Sequence, residues 1–559
     1  MKNLKKWNNE IIYQIYPRSF QDSNNDGIGD LQGIISRLDY LKELGVTMIW
    51  ISPIYQSPMV DMGYDISDYQ NIDPQFGTME DFDELLHKAN KLGIKIIMDL
   101  VVNHTSDQHE WFKKALADPK SKYRDYYIFK TTKDGKVPNN WRAIFGGSVW
   151  SEVPGEPGTY YFHTFAPQQP DLNWENPALR NEIYKMINWW LEKGIAGFRV
   201  DAITHLKKDL DWYSIEPDAN DGMATVIKKG QNRPGLEKFL KELKEKSFDK
   251  YGAITVGEAY GVPEDQLKDF IGPDGYFTMV FDFSYLNIDV HDVNEWYHGK
   301  ADWTVKQLKD TIFQSQKDTK AIGGISANVL ENHDQNRTLS KLVKDKKFQT
   351  PTAAKALGTM YFYLPGVPFI YNGQEIGMKN FHRNSLDEFN DISSHNNYKM
   401  CVDEGMTPKE AMDMVNFKSR DNARVPMQWT DGKFGGFSEH MPWLPMGNDR
   451  EGINVKDEEA DKSSVLNYYR EMAKLRKDPR YNDILVNGDL VELNTPDDVI
   501  GYARTLNDES LIVLVNLSTT DTVVDNIDDT EVLLNNIDTL DINNNQITMK
   551  PYQALVLKK

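Results

Sequence analysis

Eight short apolar runs recur along the chain, at 11–16, 48–52, 94–101, 196–200, 253–256, 279–283, 327–330 and 367–371. Each has the length of a buried strand, about four to eight residues, and amphipathic helical stretches separate most of them. Two of those helices carry their own stop signal, since 38–44 is followed by Gly45 and 82–92 by Gly93. Glycine accepts the left-handed conformation that ends a helix without steric cost. Strands alternating with helices build parallel βαβ units. Eight such units predict an α/β fold, a closed (β/α)8 barrel, and a barrel collects its chemistry at the C-terminal ends of its strands.

Polar residues gather at those ends. Asp61 and Gly63-Tyr64-Asp65 follow the second run, and the third contains Asp99 and leads into Asn103-His104. Arg199 and Asp201 close the fourth, Gly257-Glu258 the fifth, and Glu331-Asn332-His333-Asp334 the seventh. Side chains alternate along a strand, so Arg199 and Asp201 face the same way. A guanidinium beside a carboxylate keeps it ionised and fixes its direction. Taken alone, such a pair is as readily a structural ion pair as a reactive one. Carboxylates and histidines on separate strand ends favour a site, because solubility alone would scatter them along the helices too. Glu258 follows the apolar Ile254-Thr255-Val256 and has no cation adjacent in sequence. Desolvation and nearby carboxylates are therefore expected to raise its pKa, setting it apart from Asp201.

Two stretches interrupt the alternation. Residues 105–170 are rich in Trp, Tyr, Gly and Pro and read as a subdomain inserted after the third strand, between barrel parts at 1–104 and 171–480. Trp141, Phe145, Phe162 and Phe165 within it are either sugar platforms or the core of that subdomain. From about 372 to 461 an irregular insertion follows the eighth strand and contains Arg420 and Arg424. Residues 481–559 change texture: short strand-like runs at 490–493, 499–505, 511–517, 522–524 and 554–558 alternate with Asn, Asp and Gly. They predict a C-terminal antiparallel β-sandwich domain with a structural role.

A net charge of −20 argues against nucleic acid and anionic membranes as partners. No apolar run approaches the roughly 18 residues of a membrane span. The N-terminal stretch has basic residues but no uninterrupted apolar core, so no signal peptide is expected. The single Cys401 excludes an intramolecular disulfide and suits a reducing, cytoplasmic compartment. The histidines lack an H-x-x-x-H spacing, which disfavours a zinc hydrolase.

In the stretch Asp22-Ser23-Asn24-Asn25-Asp26-Gly27-Ile28-Gly29-Asp30, oxygen-bearing side chains recur at alternate positions around a turn-forming glycine. That is the first half of an EF-hand-like loop. The closing position would be Gly33 rather than Glu, leaving Asp30 to complete a shell. The other reading is an Asx-rich turn without an ion.

The segments DLVVNH (99–104), QPDLNW (169–174), GFRVD (197–201), TVGE (255–258) and ENHD (331–334), in that order, make the chain resemble the α-amylase superfamily of glycoside hydrolases, family 13. It most resembles the oligo-1,6-glucosidase and α-glucosidase branch, over nearly its whole length. The resemblance implies Asp201 as nucleophile, Glu258 as general acid/base and Asp334 as the third carboxylate. It implies His104 and His333 as hydrogen-bonding partners of the first sugar, Arg199 as the residue that orients Asp201, and Tyr64 as the ring stacked under that sugar. Asp61 and Arg424 would pair to grip its far end, with Arg420 as a rival to Arg424. Phe145, Phe165 and Gln169 complete the expected substrate-binding set. It further implies a structural calcium or magnesium ion held by Asp22, Asn24, Asp26, the carbonyl of Ile28 and Asp30, with no organic cofactor.

The expected activity is a retaining, exo-acting α-glucosidase on short oligosaccharides, working as a monomer or weak homodimer. Ala202, just after the nucleophile, sets the expected linkage: in the family a Val there accompanies α-1,6 specificity and a smaller residue α-1,4. The preference predicted here is thus α-1,4, as in maltose and malto-oligosaccharides. The alternatives are an oligo-1,6-glucosidase acting on isomaltose, or a relative acting on sucrose or trehalose-6-phosphate. A sucrose isomerase would carry an Arg-rich loop after the sixth strand, whereas 286–293 contains no Arg. A non-catalytic scaffold protein is disfavoured because Asp201, Glu258 and Asp334 are all present.

Overall fold

A computed structural model describes residues 4–447, 452–527, 530–543 and 545–559. All eight apolar runs form strands: β1 (Ile12–Ile15), β2 (Met48–Ile51), β3 (Lys95–Leu100), β4 (Gly197–Val200), β5 (Ile254–Gly257), β6 (Met279–Phe281), β7 (Ser326–Val329) and β8 (Val367–Tyr371). They pair in parallel and close into one barrel, with β8 returning to β1. Strands buried on both faces read as unbroken apolar runs, which is why they stood out. Register brings Arg199 on β4 opposite Asp99 on β3 and Val256 on β5. Gly197 opens β4 because a Cβ there would collide with the Ile254 carbonyl on β5. The close approach of β4 and β5 depends on that missing side chain.

The helices between strands are fixed at their ends by local chemistry. Met79–Lys91 begins with a capping box of Thr78 and Asp81. Pro177–Lys193 has Asn176 as its cap and Pro177 in its first turn, and it ends on Gly194 at φ 104°. Such caps contribute about 1 kcal/mol each. More important here, they set where each chain re-enters the barrel.

The stretch after β3 forms a three-stranded antiparallel sheet of Phe129–Thr131, Trp150–Glu152 and Thr159–Phe162. Trp141, Trp150 and Phe162 form its core. The insertion is not self-contained: Trp141–Arg142 pairs with Ala224–Thr225, and Trp212 packs against its core. Both come from the segment after β4, which the sequence reading gave no role. The stretch after β8, expected to be irregular, contains the helices Ile392–Asp403 and Pro408–Lys418. Thr407 and Glu410 cap the second of these with a capping box. Their apolar contacts are confined to a small cluster around Cys401, Ala411, Met414 and Val415, too sparse to mark a period in sequence.

The C-terminal residues form a five-stranded sheet facing a three-stranded one. The strands Glu531–Asn535, Ile542–Asn543 and Gln546–Met549 were not foreseen; they are short, and Glu531, Val532, Ile542 and Asn543 are exposed. Along Val499–Leu506, Glu509–Asn516 and Ala554–Lys558, alternate residues face the space between the sheets (Val499, Ile512, Leu514, Leu555) or the barrel (Ile500, Tyr502, Val513, Val556). Among the described residues no helix is long and apolar enough to cross a membrane.

Candidate active site

The C-terminal ends of the strands surround a cavity of about 300 Å³. Of the residues expected from sequence, Asp61, Tyr64, His104, Phe145, Phe165, Asp201, Ala202, Glu258 and Asp334 line it. Arg199, Gln169, His333 and Arg424 are buried behind that lining.

Arg199 forms the centre. It is 1% exposed. Its Nη1 donates to Asp201 Oδ1 at 2.7 Å and to Asp99 Oδ1 at 2.8 Å, while Nη2 contacts Glu258 Oε2 at 2.9 Å. Glu258 thus has a cation beside it in space, although none is adjacent in sequence. Adjacent residues in sequence could not reveal it, because β5 brings Glu258 to Arg199 only after β4 and β5 pair. One guanidinium faces three carboxyls, and all three cannot ionise in a dry site at modest cost. Burial raises the Asp201 carboxyl well above the ordinary carboxylate range, with Arg199 opposing the rise and Glu258 and Asp99 adding to it. Burial likewise raises Asp99 to about 6 against the pull of Arg199. Asp201 and Asp99 therefore hold their protons more tightly than free carboxylates do, because burial outweighs the guanidinium they share.

Asp334 has the opposite balance. Burial would raise it, but His333, Arg420 and Arg424 outweigh burial and hold it below the usual range. His333 is itself lowered to about 3 by burial. It is neutral at neutral pH, so the two arginines keep Asp334 ionised there. Gln14 donates to His333 Nδ1 at 2.8 Å, leaving Nε2 to face Asp334 at 3.1 Å and the Tyr64 hydroxyl at 2.6 Å. The Tyr64 ring lies parallel to the His333 ring, 5.2 Å between centroids. The Tyr64 hydroxyl donates to Asp99 at 2.9 Å, joining the Asp334 side to the Arg199 side.

The expected pairing of Asp61 with Arg424 is not what forms. Arg420 Nη2 meets Asp61 at 3.0 Å, and Arg420 also reaches Asp334 at 3.3 Å and Asp391 at 2.6 Å. Arg424 lies behind, contacting Asp334 at 3.0 Å and donating to the His333 carbonyl at 2.9 Å. Gln169 donates to Asp61 at 3.1 Å, fixing that carboxylate from the other side. His104, lowered by burial, donates from Nε2 to the Tyr64 carbonyl at 3.1 Å. Phe165 packs edge-on against His104, and Phe145 lies under the Arg420 guanidinium. Trp141 and Phe162 are buried in the subdomain core and are not sugar platforms.

Sequence reasoning missed Asp391, Tyr260, Asn294 and Trp296. Tyr260, two residues beyond Glu258, has the only usable signal, since it leaves the same strand end. Asp391 caps the helix Ile392–Asp403 and Trp296 opens the 3-10 turn Trp296–His298, and no period or spacing marks either one.

The Asp22–Asp30 loop is tied by its own amides. Asp22 accepts from the backbone N–H groups of Asn24, Asn25 and Gly27. Asp30 accepts from Ser23 and Gly33. The loop's polar side chains offer only oxygen and amide groups, which suit a hard cation, and Asp22 and Asp30 are buried. No three acidic or histidine side chains converge as a metal-holding group among the described residues.

Comparison with known proteins agrees with this geometry. Residues 14–488 match the family model for the α-amylase catalytic domain. An oligo-1,6-glucosidase of Parageobacillus thermoglucosidasius is 43% identical over 516 residues, 92% of this chain and 90% of that protein. The structure of a trehalose-6-phosphate hydrolase of Bacillus licheniformis superposes with a TM-score of 0.90 at 38% identity, covering 99% of both chains. That of an isomaltulose synthase of Klebsiella sp. LX3 gives 0.91 at 37% identity, again over 99% of both. The chain belongs to the α-amylase family of glycoside hydrolases, family 13, in its oligo-1,6-glucosidase and α-glucosidase branch. It is an α-glucosidase in the broad sense, a hydrolase of glucosidic bonds.

Proposed function

We propose that the protein is a retaining, exo-acting α-glucosidase of short oligosaccharides. The observation that carries this is the fork of Arg199 between Asp201 and Glu258. Oxygens that contact adjacent nitrogens of one guanidinium lie close together, which favours the roughly 5–5.5 Å carboxyl separation of retaining enzymes over the wider gap of inverting ones. In the reactive form Glu258 carries a proton and Asp201 does not. Asp201 attacks the anomeric carbon while Glu258 passes its proton to the departing oxygen. Glu258 then takes a proton from water, and that water releases glucose from Asp201. Asp334, kept ionised by Arg420 and Arg424, holds sugar hydroxyls as charge develops on the ring. The exo reading is supported by Arg420, which bridges Asp61, Asp334 and Asp391 on one side of a small cavity.

The α-1,4 preference rests on Ala202. Its N–H donates to Glu258 Oε2 at 3.0 Å, so its methyl stands beside the proton donor, where a bulkier side chain would narrow the leaving-sugar space. The second reading, α-1,6 preference, is favoured by the name of the glucosidase relative. Among the described residues the Lys and Arg side chains lining the cavity are Lys418, which faces the buried Asp289 at 3.8 Å, and Arg420, which faces three carboxylates, and this balance counts against a sugar phosphate. For the Asp22–Asp30 loop, the all-oxygen donors support a structural calcium or magnesium ion held by Asp22, Asn24, Asp26, the Ile28 carbonyl and Asp30. Cytoplasmic location and a monomer or weak dimer complete the reading, the former supported by the single, buried Cys401.

The deciding experiment is a panel of maltose, isomaltose, sucrose, trehalose and trehalose-6-phosphate with products identified by NMR. Release of α-glucose as the first product supports retention; β-glucose overturns it.

A further inference from the structure

Arg142 is 2% exposed and lies outside the lining of the cavity, yet three carboxylates converge on it. Its Nη1 contacts Asp221 at 2.9 Å, and Nη2 contacts Asp218 at 2.5 Å, Glu295 at 2.7 Å and the Tyr297 hydroxyl at 3.2 Å. Asp218 and Asp221 belong to the stretch after β4, Glu295 and Tyr297 to the stretch after β6, and Arg142 to the insertion after β3. The main chain joins the first and last of these: Arg142 pairs with Thr225, and the Val226 N–H donates to the Arg142 carbonyl at 2.9 Å.

Each segment also supplies a wall of the cavity. The insertion gives Ile144 and Phe145, the stretch after β4 gives Ile227, and the stretch after β6 gives Asn294 and Trp296. A crevice of about 20 Å³ lined by Arg142, Thr225 and Glu295 shares Ile144, Phe145 and Asn294 with the cavity. Arg142 therefore adjoins residues of all three wall-bearing segments. The other ion-pair partners of these carboxylates among the described residues are Lys228, 2.8 Å from Asp218, and, when protonated, His298, 3.3 Å from Glu295. Without Arg142, like charges would push the segments apart. The reacting carboxyls are held by Arg199, and the Asp61 side by Arg420; Arg142 touches neither group.

We infer that Arg142 is a positioning residue for the leaving-sugar side of the active site, clamping the three segments so that the cavity keeps the width a second sugar needs. This rests on the α-glucosidase reading above.

The test uses the full chain and the disaccharide it cleaves best. Wild-type cleavage is measured first, because its absence counts against the proposed function and not against Arg142. Arg142→Gln is expected to raise KM about fivefold or more, with kcat and competitive inhibition by free glucose, which probes the first sugar site, changed less than about twofold. Arg142→Lys, which keeps the charge but not the fork, is expected to recover part of the loss. Glu295→Ala frees the Asn294–Trp296 wall alone and is expected to raise KM less. It decides the matter if Arg142→Gln does not fold. An unmoved KM, or a KM that rises in step with falling kcat and weakened glucose inhibition, overturns the inference.

Discussion

Arg199 shows how little a residue's role can be read from its neighbours in sequence. It serves Asp201, Asp99 and Glu258 together. Asp201→Asn is expected to lower turnover about 10⁴-fold or more while leaving the melting temperature unlowered. Glu258→Gln should cost about 10²–10⁴-fold on disaccharides, and less on aryl glucosides whose leaving group needs little protonation. Steady-state kinetics on both substrates check these; equal losses on both would argue against Glu258 as proton donor. The raised Asp201 and Asp99 carboxyls place the acid limb of kcat/KM above the ordinary carboxylate value, toward the value of about 6 to which burial raises Asp99. The sign for stability is the reverse. A carboxyl raised by burial stabilises the fold fully below its unfolded pKa of about 3.9, and that contribution is lost as pH rises through its folded value. A pH–rate profile with its acid limb near 4 would contradict the raised carboxyls. Ala202 adds a constraint on testing linkage. Its φ of 44° lies in the left-handed region, which costs an L-residue about 1–2 kcal/mol and a β-branched one more. Ala202→Val should therefore lose activity on every substrate, and only the ratio is informative. That ratio of isomaltose to maltose efficiency should rise by about ten- to two-hundredfold. An unchanged ratio would remove Ala202 as the determinant.

At the scale of elements, loops decide the chemistry that strands only aim. The Asp22–Asp30 loop is anchored by the Asp22 N–H donating to the Phe437 carbonyl, and by the Gly27 carbonyl accepting from the Trp443 N–H. An ion there would stiffen a loop whose backbone hydrogen bonds already link the exit of β1 to the segment after β8. At a hundredfold excess over Kd, a cation that binds only the folded state adds about 2.7 kcal/mol. Chelator is expected to lower the melting temperature and Asp22→Ala to copy the effect. Metal analysis finding neither calcium nor magnesium, with chelator inert, would leave the amide-closed turn as the whole account. Much of this was legible beforehand: the alternating oxygens gave the loop, and the strand ends gave the carboxylates. The choice between Arg420 and Arg424 was not. Both lie in one polar stretch, and which one reaches Asp61 depends on how the 3-10 turn Arg420–Asn422 is placed over the barrel.

At the scale of the whole molecule, the C-terminal sheet is part of the barrel's core as well as of its own. Arg504 is fully buried, and its Nη1 donates to the carbonyls of Tyr363 and Leu485 at 2.7 and 2.6 Å. The Tyr502 hydroxyl donates to the Met360 carbonyl at 3.2 Å, at the end of the helix Pro351–Phe362. Removing the sheet would expose that helix and leave those carbonyls unpaired. Calorimetry should show one cooperative unfolding transition, and chains ending before Asp489 should be insoluble or molten. Two well-separated transitions would show the units to be independent.

The amino-acid sequence determined the barrel, its eight strands, the strand-end carboxylates and the sandwich, because these depend on periods of two and 3.6 and on local turn chemistry that neighbouring residues set. Only the tertiary structure decided that Arg199 serves three acids, that Arg420 holds Asp61, and that Arg142 binds three cavity walls together. Each of these joins residues from separate βα units. A charged side chain chooses its partner by distance and burial, and those are settled only when the barrel closes.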